Sequence, residues 1–116
     1  MEHRCSPRIN TDLRVRLNRN KHQCNGRLRN CSTLGFYIEV DNHDYSLHQL
    51  ITVDIALCDI DGNAYSFVFE GRIVRKGQHF IALELEAEQL PTPSAVSFIE
   101  LLKQAQQPAQ PQRRLG

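Results

Sequence analysis

Leu13-Arg14-Val15-Arg16-Leu17 alternates apolar and charged side chains without a break. Successive side chains of a β-strand point to opposite faces, so this stretch reads as a strand with one face buried and one wet. The same period recurs down the chain. Phe36, Ile38 and Val40 share a face, as do Ile51, Val53, Ile55 and Leu57 over residues 50–57, and Ile81, Leu83 and Leu85 over residues 80–86. Residues 65–75 form a long β-branched and aromatic run in which Phe67 and Phe69 join Phe36 as core residues. Asp61-Gly62 and Lys76-Gly77-Gln78 are turn signals between these runs. Residues 18–26 read as polar and turn-like, residues 27–30 as a short strand, and residues 41–49 as a polar loop. Short strands with one apolar face each predict an all-β chain, folded as a closed antiparallel barrel or a sandwich.

Beyond Leu90 the period changes. Thr92 suits an N-cap with Pro93 at the first helical position. Ala95, Phe98, Ile99, Leu102 and Ala105 then recur at spacings of three and four, which predicts an amphipathic helix lying across the barrel. Residues 107–116, QPAQPQRRLG, offer almost nothing to bury and are expected to be disordered. At the other end, Pro7 forbids regular pairing, so residues 1–10 are expected to form a flexible arm. The expected organisation is therefore an arm over residues 1–10, one domain over residues 11–106, and a tail over residues 107–116.

The chain has 116 residues, enough for one modest core, and its 41% hydrophobic and 23% charged content is ordinary for a globular protein. No apolar run approaches the length of a membrane span, and no signal-peptide pattern follows the amino terminus, so a cytoplasmic location is expected. Cys5, Cys24, Cys31 and Cys58 lie at irregular spacings without a CxxC pair, which predicts free thiols and neither a disulfide scaffold nor a metal site. The net charge is +1, but residues 1–30 carry eight basic side chains against two acidic ones, a net +6. A basic amino-terminal quarter is suited to holding an anion. For Arg14, Arg16, Arg27 and Arg29, the wet faces of strands are the plainer account.

Two strings stand out within this frame. Arg4-Cys5-Ser6-Pro7-Arg8 carries two guanidiniums four residues apart, and Asn30-Cys31-Ser32-Thr33-Leu34-Gly35 is a small polar turn. Arginine forks match phosphate oxygens and the O6/N7 edge of guanine, so the pair suggests a pocket for a small anionic guanine nucleotide. In this order the strings resemble the RxxxR and [DN]xSxxG pattern of the PilZ domain, the bacterial receptor module for cyclic di-GMP. "RINTDLRVRL" resembles the family's first strand, "GRIVRKGQHFIALELE" its last hairpin, and residues 94–106 its carboxy-terminal helix.

The resemblance implies a six-stranded antiparallel PilZ-type barrel with a helix packed on it, and a ligand held between arm and turn by Arg4, Arg8, Asn30, Ser32 and Gly35. Arg75, on the last hairpin, takes a supporting role, because some relatives place a side chain there against the guanine. His3 stands where many members carry a further arginine, a neighbourhood the family links to whether one or two ligands bind. The implied protein is non-catalytic, binds cyclic di-GMP as a ligand without any cofactor, and relays occupancy to an effector protein controlling motility, biofilm or exopolysaccharide. It is expected to be a monomer or weak dimer, with no stable nucleic-acid partner and no membrane insertion.

Two rival readings are a PilZ-like adaptor that binds only proteins and a small barrel that binds single-stranded nucleic acid. Against the first, both arginines and the Asn-x-Ser-x-x-Gly string are intact. Against the second, such a barrel shows aromatics interleaved with Lys or Arg on one face, whereas Phe36, Phe67 and Phe69 alternate as core residues, with Tyr37 and Tyr65 left open; acidic residues also dominate the middle of the chain. Asp59, Asp61, Asn63 and Glu70 mimic a calcium loop, but Ala64 stands where glycine is required, and the flanks read as strands. No nucleophile elbow, phosphate loop or metal-binding helix organises the five histidines and the remaining polar residues.

Overall fold

The computed structural model describes residues 8–41, 43–85 and 93–106. Six strands, β1 (Ile9–Arg19), β2 (His22–Cys31), β3 (Gly35–Val40), β4 (Leu50–Cys58), β5 (Ala64–Gly77) and β6 (Phe80–Leu85), precede one helix, α1 (Pro93–Gln106). Their order around the sheet is β1-β2-β3-β6-β5-β4, and β4 pairs back onto β1 to close a barrel. Every pairing is antiparallel. Closure leaves no sheet edge, and it decides between the barrel and the sandwich.

Alternation places the core as expected. Val15, Leu17, Phe36, Ile38, Val40, Ile51, Val53, Ile55, Ile81, Leu83 and Leu85 are all buried inside the barrel. At one end the sheet is stoppered by aromatics. Phe98 of α1 meets Phe36, Phe67 and Phe69 edge-on, at ring separations of 5.9, 5.3 and 5.6 Å. Ala95, Ile99 and Leu102 fill the rest of the helix's inner stripe. The start of β1, the β2–β3 turn and the end of β6 lie at this same end, as the pairing registers of Ile9 with Cys31 and Gly35 with Glu84 require.

Four expectations need correction. Residues 18–26 are not a turn: β1 runs on to Arg19, β2 begins at His22, and the hairpin needs only Asn20-Lys21, with Asn20 at φ 56°. Polar residues fill both strands here because the outer faces are wet, and Gly26 pairs between Val15 and Val40. Gly77 belongs to β5 and not to the turn after it, since it pairs with Phe80. Tyr45, in the loop of residues 41–49, is 95% shielded from solvent and closes the second end of the barrel. Its hydroxyl meets the Cys24 thiol at 3.0 Å, its carbonyl accepts a hydrogen bond from Lys76 Nζ, and the Arg19 guanidinium lies over its ring. β1 also takes in Ile9 and Asn10, the last two residues assigned to the arm. The Thr92 cap and the tail lie outside the described residues.

Candidate functional site

The β2–β3 turn is built by the residues of the second motif. Ser32 donates its backbone N–H to the Gly35 carbonyl at 2.9 Å, and its Oγ accepts from the Leu34 N–H at 3.1 Å. A serine hydroxyl accepting from the N–H two residues on is a local turn former, and it explains why a polar side chain only 3% exposed sits here. The Leu85 N–H closes on the Leu34 carbonyl at 3.0 Å, tying the turn to the end of β6. Gly35 has no left-handed backbone, since Gly62 alone among the described glycines is at positive φ. What it lacks is bulk: a Cβ at Gly35 would stand 2.8 Å from the Leu83 carbonyl oxygen.

Asn30 lies on the outer face of β2, and Arg8 comes onto it from the last residue before β1. Arg8 Nε donates to Asn30 Oδ1 at 2.7 Å. The two motif halves are thus joined directly by a side-chain hydrogen bond. Between Asn30 and Ser32, Cys31 points inward and is fully buried. Burial pushes its thiol up to about 12, against the pull of the neighbouring Arg8 guanidinium. Cys31 is therefore a protonated packing residue at neutral pH, not a nucleophile.

Arg4 lies outside the described residues. Arg75 stands on the outer face of β5, and the cross-strand register carries a single row from Asn30 through Tyr37 and Ala82 to Arg75. Arg75 is thus two strands beyond Tyr37, and its guanidinium lies 6.0 Å from the centre of the Phe80 ring. Tyr37 and Phe80 are outward neighbours of the motif to which the sequence reading gave no site role. The signal was present, because Tyr37 alternates against the inward set of Phe36, Ile38 and Val40. Asp59 is occupied with its own turn: its carboxylate accepts from the Asp61 and Asn63 N–H groups, the Asn63 amide and the Tyr65 hydroxyl, and these bonds hold it below the usual carboxylate range.

A family model for the PilZ domain matches residues 2–94. Among solved structures the chain resembles the Bacillus subtilis inhibitor of motility MotI/DgrA, with a TM-score of 0.69 and 16% identity, covering 98% of this chain and 55% of that one. It also resembles the PilZ domain of CeSA from a cellulose synthesizing bacterium, with a TM-score of 0.68 and 17% identity, covering 84% of this chain and 99% of that one. At such identities the likeness concerns the fold, and the chain spans about half the length of MotI/DgrA. No curated protein matches. PilZ domains are, in general, non-catalytic cyclic di-GMP receptor or adaptor modules. With the family model covering most of its length and a six-stranded barrel carrying the Asn-x-Ser-x-x-Gly turn, this chain belongs to the PilZ domain family.

Proposed function

We propose that this chain is a cyclic di-GMP receptor that holds its ligand between the amino-terminal arm and the β2–β3 turn. The observation that carries this reading is the 2.7 Å bond from Arg8 Nε to Asn30 Oδ1, which puts a guanidinium of the first motif on the amide of the second. Arg4 and Arg8 supply paired donors for phosphate oxygens or guanine edges. The Asn30 amide offers both a donor and an acceptor to a guanine. Ser32 shapes the turn, Gly35 lets β3 approach β6, and Arg75 supports from the far side of the outer face.

The residues before β1 act as the arm, the barrel and helix through residue 106 receive the ligand, and residues 107–116 form a tail. Closing of the arm over the ligand turns occupancy into an altered surface, which an effector protein reads. The relationship to MotI/DgrA, an inhibitor of motility, and to the CeSA domain supports an output in motility or exopolysaccharide production. The receptor works in the cytoplasm as a monomer or weak dimer, without catalysis and without a cofactor.

Calorimetric titration with cyclic di-GMP, repeated on Arg4→Ala and Arg8→Ala, tests this reading. Each substitution is expected to weaken binding by about 1.5–3 kcal/mol, roughly tenfold to a hundredfold. Equal binding by all three proteins puts the ligand elsewhere. Absence of binding by the unsubstituted protein favours a protein-only adaptor, and tight, salt-sensitive oligonucleotide binding in its place favours the nucleic-acid reading.

A further inference from the structure

Tyr37 and Phe80 lie on the solvent side of the sheet, where the barrel core gains nothing from them. Their rings are stacked, with centroids 4.9 Å apart and planes 12° from parallel. The arrangement is built by sequence. Tyr37 pairs with Asn30 on one side and with Ala82 on the other, and Phe80 pairs with Glu39 and Gly77. Gly77 is needed because the Phe80 ring occupies the space its Cβ would fill. Ala82, the small member of the row between Tyr37 and Arg75, keeps the floor low.

Charged groups surround this pair. Arg29, Tyr37, Glu39, His79 and Phe80 line one depression of about 300 Å³, near the lower end of ligand-pocket sizes. Arg29 stands 3.7 Å from Glu39 and 3.3 Å from Asp12, so its guanidinium is held at the rim. The Arg75 guanidinium lies 6.0 Å from the centre of the Phe80 ring. An aromatic face between cations is a surface on which a nucleobase stacks while its phosphates meet arginine. The Glu39 carboxylate only accepts hydrogen bonds, which suits the N1–H and N2–H₂ edge of guanine and rejects the N1 acceptor of adenine.

Distance links this surface to the motif. Tyr37 is directly opposite Asn30, one strand spacing of about 4.8 Å away, and Phe80 is on the strand after it. We propose that the stacked pair of Tyr37 and Phe80 presents an outer ring face as a stacking platform, with Glu39 as its edge reader, for the second guanine of the dinucleotide whose first half is held by Arg8 and Asn30. This rests on the reading of the chain as a cyclic di-GMP receptor, and it extends the site from the β2–β3 turn across β3 to β6.

The chain contains no tryptophan, so Phe80→Trp introduces a single reporter at the platform. Its emission is followed during titration of the whole chain with cyclic di-GMP, at concentrations where calorimetry shows the same variant saturated. Calorimetry on Tyr37→Leu and Glu39→Gln accompanies it, with cyclic di-GMP and cyclic di-AMP as ligands. Stacking requires the Phe80→Trp emission to fall on saturation and Tyr37→Leu to bind cyclic di-GMP about tenfold more weakly. Glu39→Gln is expected to narrow the preference for the guanine dinucleotide over the adenine one. Undiminished binding by Tyr37→Leu and steady Phe80→Trp emission, with Arg8→Ala still impaired, overturn the platform and leave the receptor reading standing. Loss of all binding by the unsubstituted chain removes both. If circular dichroism shows Phe80→Trp unfolded, the Tyr37→Leu titration decides by itself.

Discussion

Gly35 heads β3 because no side chain fits between it and β6. A Cβ there would press on the Leu83 carbonyl oxygen at 2.8 Å, and backbone cannot swing aside as a side-chain end can. Gly35→Ala is therefore expected to lower stability by about 1–3 kcal/mol in urea denaturation, whether or not ligand is present. This cause was not legible in the sequence. The motif pattern marked the glycine, but the atom that excludes a Cβ belongs to the last strand, and only the closed sheet brings the two together. Cys31 makes a second prediction at this scale. Its thiol is raised by burial to about 12, above the ordinary value of 9.0. Between those values the unfolded chain has lost a proton that the folded chain keeps, so stability falls as pH rises through that window and is undiminished below it. The expected slope is about 1.4 kcal/mol per pH unit for this one group. Tyr45, also raised by burial and by its contact with Cys24, adds to the loss at higher pH. Denaturation of the protein and of Cys31→Ala between pH 8 and 11 checks it, the variant having the shallower decline.

The helix and the β1–β2 hairpin show what periodicity carries and what it misses. α1 was legible because its apolar positions repeat at three and four, and all of Ala95, Phe98, Ile99 and Leu102 are buried. Phe98 is the keystone of that stripe, touching three core phenylalanines at the mouth of the barrel. Phe98→Ala should cost about 3–5 kcal/mol in chemical denaturation, with the near-ultraviolet signal of the aromatic cluster lost first. The hairpin was half-legible. Leu13 to Leu17 announces a strand, but Gln23 and Asn25 do not, since a polar outer face looks like a loop when its inner partners are Cys24 and Gly26. Gly26 is tolerated in mid-strand because Ile38 and Val40 fill the space its side chain would take. Tyr45 was missed for a related reason. A single aromatic among polar residues gives no period, although its hydroxyl, carbonyl and ring all find partners in the folded chain.

At the scale of the molecule, the alternating strands left barrel and sandwich open, and pairing of β4 with β1 decides between them. The β1–β2 register in turn fixes where the candidate site lies. The start of β1, the β2–β3 turn and the helix share one end, so Arg8 lies beside the strand that leads into the turn. The two motifs were legible as strings, and their meeting as Arg8 and Asn30 follows from the register of Asn10 with Asn30. The row beyond them, Tyr37, Ala82 and Arg75, depends on β3 lying beside β6, a neighbour relation that no local pattern announces. The central claim is that Arg8 and Asn30 serve one ligand as a unit. A double-mutant cycle of cyclic di-GMP affinity with Arg8→Ala, Asn30→Ala and both together measures that coupling directly. The expected result is a double variant weaker than the unsubstituted protein by about 0.5–3 kcal/mol less than the sum of the single losses. Losses that simply add, or affinity untouched by either substitution, would contradict it.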